Sequence, residues 1–277
     1  KRGRDDASSA DYVDAEATEW CDSMLRRFKV AFDDGDVCNV VRDGRTCDTI
    51  AKFMQLCTSP RSIELLTDFL SALAELKEDD STHVIILTGK GPAFCAGADL
   101  SALKGVQDEA ERQRVFARSR KLRGRLSHRT YRAVEGMQQI TIAAVSGPCV
   151  GGGWAIANSC DFRIAAEDAR FWFPEVDLGS PVGASPAARL VRMIGLEKAK
   201  EVVLTCRRYT AREIFDMGMV FKVTPKDKLI EEAHALARTL LSKRPAALSL
   251  AKAILNNAAG YRNLEAITVD ADLFLGI

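Results

Sequence analysis

The chain of 277 residues is 47% apolar and sets 39 Lys and Arg against 38 Asp and Glu, for a formal net charge of +1. That length can bury one sizeable core plus an appendage, and the charge balance excludes a chain-wide polycation built for nucleic acid or an anionic membrane. Its eight cysteines (Cys21, Cys38, Cys47, Cys57, Cys95, Cys149, Cys160 and Cys206) form no CxxC pair, and His83, His128 and His234 lack ligand spacing, so free thiols in a reducing compartment are expected and a metal site is not.

In chain order, residues 1–19 are polar, acidic after a basic start, and lack the apolar segment of a secretory signal; a disordered tail is expected. The start without an initiator Met reads as a processed or truncated end, compatible with a removed mitochondrial transit peptide. An intracellular protein is expected, with the mitochondrial matrix ahead of cytosol or peroxisome. Asp34-Gly35 between two β-rich pieces predicts a hairpin over Phe28 to Val41. After Pro60, the apolar residues Ile63, Leu66, Phe69, Leu70, Leu73 and Leu76 fall at helical spacing, which predicts a core-facing helix capped by Ser59 or Ser62. Val84 to Leu87 is a short apolar strand; Gly97 then precedes a helix start with Asp99 in its first turn.

Arg112 to Arg132 holds nine basic residues and no acidic one. A solvated amphipathic helix with Val115, Leu122 and Leu126 inward is the favoured reading over a ligand-contacting face. With only Phe116 and Tyr131 as interleaved aromatics, a nucleic-acid platform is not expected.

The stretch Ile140 to Asp161 organises the rest. Ile140 to Val145 predicts a buried strand, Ser146-Gly147-Pro148 a turn, and Gly151-Gly152-Gly153 a helix that begins on bare backbone. The first amides of a helix lack intrahelical acceptors and favour negative charge. Two such turns, here and at Gly97, could aim one N–H each at a single oxygen; removing one such donor typically costs about 3 kcal/mol of transition-state stabilisation. A dinucleotide-binding Rossmann unit is the alternative from another class, but Gly147-x-x-x-Gly151-Gly152-Gly153 is not GxGxxG and the unit lies mid-chain. Gly89-Lys90-Gly91 lacks the spacing of a P-loop.

These segments resemble the enoyl-CoA hydratase/isomerase (crotonase) family. The likeness rests on Gly91 to Leu100, on Ile142-Ala143-Ala144-Val145 with Gly147 and Gly151-Gly152-Gly153, on Cys160 to Ala165, and on Phe173-Pro174-Glu175, and it continues to about residue 256. It implies an α/β fold of stacked ββα turns forming a spiral core over residues 20–224. A helical, possibly truncated oligomerisation region would follow over 225–277, giving a trimer or a hexamer of two trimers. It also implies an acyl-CoA thioester as substrate, with coenzyme A as part of that substrate and no separate cofactor.

The resemblance assigns the thioester oxygen to the N–H groups of Ala98 and Gly152, and proton transfer to Glu175. Around the substrate it sets Ala96, Gly97, Asp99, Leu100, Gly151, Trp154 and Pro174, with Asp99 also capping its helix. Phe171-Trp172-Phe173-Pro174 beside Glu175 predicts an apolar wall that raises the carboxyl pKa. Family hydratases carry another Glu two positions after the glycines, where this chain has Ala155. The expected reaction is therefore that of a Δ3,Δ2-enoyl-CoA isomerase, with 2-enoyl-CoA hydration and a non-catalytic CoA-thioester or RNA-binding homologue as alternatives. The chain also departs from the family's adenine-contacting loop over Cys47 to Pro60. Asp161 is expected to hold a turn, and Lys252 to be solvated rather than bound to CoA phosphates.

Overall fold

The structure, a computed structural model, describes residues 40–43, 46–51, 62–89, 92–97 and 108–260. The expected tail, the Asp34-Gly35 hairpin turn and residues 261–277 lie outside them. The chain opens on a hairpin of β1 (Val40–Asp43) and β2 (Thr46–Ala51), paired antiparallel with Val40 opposite Thr49. β2 takes part of the stretch that departs from the family's loop, and it pairs in parallel with β3 (Val84–Gly89). Between them lies α1 (Ser62–Lys77), whose Phe69, Leu73 and Leu76 are buried as the helical spacing predicts.

α2 (Glu109–Glu135) starts where the Asp108 carboxylate accepts the Glu111 amide at 3.0 Å, an N-cap that satisfies a first-turn donor. Arg114, Arg125, Arg129 and Arg132 are exposed along it, the solvated face expected. It leads into β4 (Ile140–Val145), buried at every position, then β5 (Pro148–Val150), α3 (Gly152–Ser159), β6 (Phe162–Ala166) and β7 (Arg170–Trp172). α4 (Ala184–Leu204) is broken at Gly195, φ 77°. β8 (Tyr209–Thr210), α5 (Ala211–Asp216), β9 (Lys222–Thr224), α6 (Leu229–Leu241) and α7 (Pro245–Ala258) follow.

The strands make one six-stranded sheet in the order β1-β2-β3-β4-β6-β9, parallel from β2 onward, and a three-stranded sheet in the order β5-β7-β8. Two successive ββα turns, β4-β5-α3 and β6-β7-α4, step along both sheets, which is the spiral α/β arrangement expected. β3 and β4 read as continuous apolar runs because both faces are covered. Ile85, Leu87, Ala143 and Val145 pack with α1, α2 and α3 on one face; Val84, Ile86, Ile140, Ile142 and Ile164 pack with Leu229, Ala233 and Ala237 of α6 on the other. α6 thus covers the second face of the same sheet. Among the described residues no helix is long and apolar enough to cross a membrane, and no group of three or more His, Cys, Asp or Glu could hold a metal ion.

One expectation is overturned. Lys252 is not solvated: its side chain is 7% exposed, and Nζ lies 2.7 Å from Asp161 Oδ2 and 2.8 Å from the Gln139 carbonyl. The same Asp161 oxygen accepts the Thr141 amide and hydroxyl, so the carboxylate holds the turn before β6 as expected, with Lys252 as its counter-ion. Helical position alone does not reveal that α7 points this lysine at the start of β4, a central strand. Breaking a buried pair leaves its partner charged and desolvated, so Lys252→Ala should lower stability by about 3–5 kcal/mol in denaturant unfolding.

Candidate active site

The glycine turns form because backbone passes where no side chain fits. A methyl group on Gly147 (φ 56°) would stand 1.9 Å from the Pro92 carbonyl oxygen, and one on Gly97 (φ 88°) 3.1 Å from the Val150 carbonyl oxygen. This close approach stitches the segment 92–97 to β5. Phe94 N–H donates to Ser146 O at 2.7 Å, Cys95 N–H to Pro148 O at 3.1 Å, and Val150 N–H to Cys95 O at 2.9 Å. The two loops predicted to converge are therefore one hydrogen-bonded unit, with Ala96 half-buried and Gly97 buried at its end. Ala98, Asp99 and Leu100 lie outside the described residues.

Gly151 (φ 51°, ψ −116°) turns the chain into α3 while its N–H donates to Trp172 O at 3.0 Å. The second ββα turn thus hangs on the first, and three residues past Trp172 the chain reaches Glu175. Leu178 and Ser180 N–H both donate to the Glu175 carbonyl, fixing that loop as a tight turn. Glu175 Oε1 lies 2.7 Å, and Pro174 Cδ 3.7 Å, from where a methyl on Gly151 would be. Sequence placed Glu175, Gly151, Gly152 and Pro174 in one site, and the fold brings Glu175, Gly151 and Pro174 into contact beside Gly152, the first residue of α3.

The environment of the carboxylate is apolar. Phe173 stacks on Trp154 at 4.5 Å between ring centroids, and Ala155 is 2% exposed. Among the described residues, Glu175 Oε2 is buried without a hydrogen-bond partner. Burial disfavours the charged form and pushes the Glu175 pKa to about 7, against a smaller lowering by its own backbone N–H. Near neutral pH this group can both accept and return a proton, the property a general acid/base needs. Activity that uses Glu175 as base should rise with pH through about 7 and level off above it; a kcat/KM profile flat from about pH 5 to 9 would be incompatible with that role.

Trp154 is placed differently from expectation. Its ring is 0% exposed, enclosed by Phe171, Phe173 and Tyr209 at 5.7, 4.5 and 6.5 Å. It faces the core and supports the wall behind Glu175 instead of lining the substrate space, because the helix that starts at Gly152 turns position 154 inward. Conversely, the sequence marks Tyr131 only as one aromatic in a basic helix. Its hydroxyl stands 3.3 Å from where a methyl on Gly152 would be. Only the packing of α2 against α3 brings it there; its one sequence signal is its position on the same helical face as buried Val134.

A turn of bare glycine amides beside the desolvated Glu175 carboxylate suits acyl-thioester chemistry, and comparison with known proteins agrees. The enoyl-CoA hydratase/isomerase family model matches residues 61–276. The chain belongs to the enoyl-CoA hydratase/isomerase family. It is 34% identical over 212 residues to a crotonyl-CoA hydratase of Syntrophomonas wolfei, covering 76% of this chain and 78% of that one. It is 36% identical over 185 residues to a short-chain-enoyl-CoA hydratase of Clostridium acetobutylicum, covering 66% and 67%. Among solved structures, an enoyl-CoA hydratase from Bacillus anthracis superposes with a TM-score of 0.66 at 32% identity, covering 84% of this chain and 86% of that one.

Proposed function

We propose that this family member catalyses enolate-forming proton transfer on an enoyl-CoA thioester, moving a 3,4 double bond to the 2,3 position. The observation that carries this reading is Glu175: a desolvated carboxylate against Gly151 with a pKa of about 7, while position 155, where family hydratases carry a second acid, is a buried alanine. Glu175 takes a proton from C2 of the 3-enoyl thioester. The electron pair moves into the C2–C1 bond, and the thioester oxygen becomes a dienolate oxygen facing the Gly152 N–H, with the Ala98 N–H as the second donor expected from the family motif. Glu175, now protonated, returns the proton to C4, and the C2–C3 double bond forms. Ala96, Gly97, Asp99, Leu100, Gly151 and Pro174 complete the proposed substrate surround. Coenzyme A enters as part of the substrate, and no further cofactor takes part.

The hydratase names of the Syntrophomonas and Clostridium relatives favour a second reading, addition of water to a 2-enoyl-CoA. In that case another group must position the water that Ala155 cannot. Incubation with a medium-chain trans-3-enoyl-CoA, followed by chromatographic separation and mass spectrometry, distinguishes them. A 2-enoyl-CoA of unchanged mass supports the isomerase. A further product heavier by one water supports the hydratase, and untouched substrate removes the catalytic reading in favour of a CoA-thioester-binding protein. Assembly as a trimer or hexamer is proposed from the family alone, and sedimentation of the purified protein tests it.

A further inference from the structure

Proton transfer at Glu175 creates negative charge on the acyl oxygen, and the fold supplies one more polar group beside the amide that would receive it. Tyr131 sits in the last two turns of α2, 9% exposed, in the same core cluster as Val134 one turn on. The ring is held in that cluster and α2 packs on α3, so its hydroxyl is delivered to the start of α3, where a methyl on Gly152 would be only 3.3 Å away. Glu175 Oε1 reaches the preceding residue, lying 2.7 Å from where a methyl on Gly151 would be. Base and phenol therefore attend two successive residues of the turn, one at Gly151 and the other at Gly152, whose amide opens the helix.

We propose that Tyr131 is a further catalytic residue: its hydroxyl donates a hydrogen bond to the acyl oxygen as that oxygen becomes an enolate beside the Gly152 N–H. A phenol suits this role. It is a stronger donor than an aliphatic hydroxyl, it stays protonated near neutral pH, and a donor fixed in advance by packing needs no reorganisation when charge develops. The glycine at position 152 is what admits it, since any side chain there would compete with the hydroxyl for the same space. No covalent step involves Tyr131; it lends its hydrogen bond and keeps its proton.

The inference rests on the acyl-thioester reading of the site, so the test separates the two. Tyr131→Phe keeps the ring and removes only the oxygen. In isomerisation assays it should lower kcat tenfold or more with KM changed less than about threefold, since the donor acts on charge present mainly in the transition state. Acetoacetyl-CoA gives a readout independent of turnover: its bound enolate absorbs in the near ultraviolet, and the variant should need a higher pH to form it while still binding the thioester. A kcat within twofold of the parent together with an unchanged enolate titration overturns the proposal and leaves the Glu175 mechanism standing. A parent protein that neither isomerises enoyl-CoA nor perturbs acetoacetyl-CoA overturns both readings. If Tyr131→Phe does not fold, site-specific 3-fluorotyrosine at position 131 replaces it: the more acidic phenol should move the alkaline fall of kcat to lower pH, and an unmoved limb counts against the proposal.

Discussion

Glu175→Gln is expected to reduce isomerisation by about 10²–10⁴-fold while leaving CoA-thioester binding within a few-fold, because the amide keeps the volume but cannot carry the proton. Unchanged turnover would remove Glu175 from the mechanism. The same variant has a stability signature that activity cannot mimic. The carboxyl has an ordinary value of 4.5 and a folded value of about 7. As pH rises through that window the unfolded chain releases its proton first, so the native state is progressively disfavoured, and the penalty is constant above about 7. Glutamine carries no such penalty. Relative to the parent, Glu175→Gln should therefore be more stable by about 3 kcal/mol at pH 8 and indistinguishable at pH 4, as read by denaturant unfolding at the two pH values. A stability difference independent of pH would mean that the carboxylate is better solvated than the structure shows.

Gly151→Ala should have the second largest effect, for two separable reasons. The backbone there, at φ 51° and ψ −116°, is open to glycine and strained for any L side chain, which costs about 1–3 kcal/mol. The added methyl would also stand 2.7 Å from Glu175 Oε1, so the carboxylate must leave its place against the turn. A displacement on the order of 1 Å costs about 10²-fold in rate. Gly218→Ala is the control: its φ is 77°, but a methyl there meets nothing within 4 Å. Both variants should lose stability, and only Gly151→Ala should lose activity beyond it. Equal loss of activity in the two would mean that strain alone, and not the contact with Glu175, makes glycine necessary at 151.

Much of this site was legible because its parts are local. A strand of six apolar residues, a Gly-Pro turn and three glycines at a helix start each have a short-range cause, and so do the aromatic residues and proline immediately before Glu175. Periodicity likewise determined α1 and its buried Phe69, Leu73 and Leu76. These are properties of neighbours in the chain, and the sequence carries them directly. What it left open depends on partners distant in the chain. Lys252 finds Asp161 because α7 packs at the start of the central strand β4, and Trp154 turns inward because Phe171, Phe173 and Tyr209, all later in the chain, enclose it. The Tyr131 hydroxyl reaches Gly152 only through the packing of α2 on α3. The amino-acid order by itself determined the turns, the strands and the candidate acid, Glu175. The tertiary structure decided which distant side chains meet and how far that carboxylate is desolvated, because such encounters, and the burial that raises its pKa, exist only once the elements are packed.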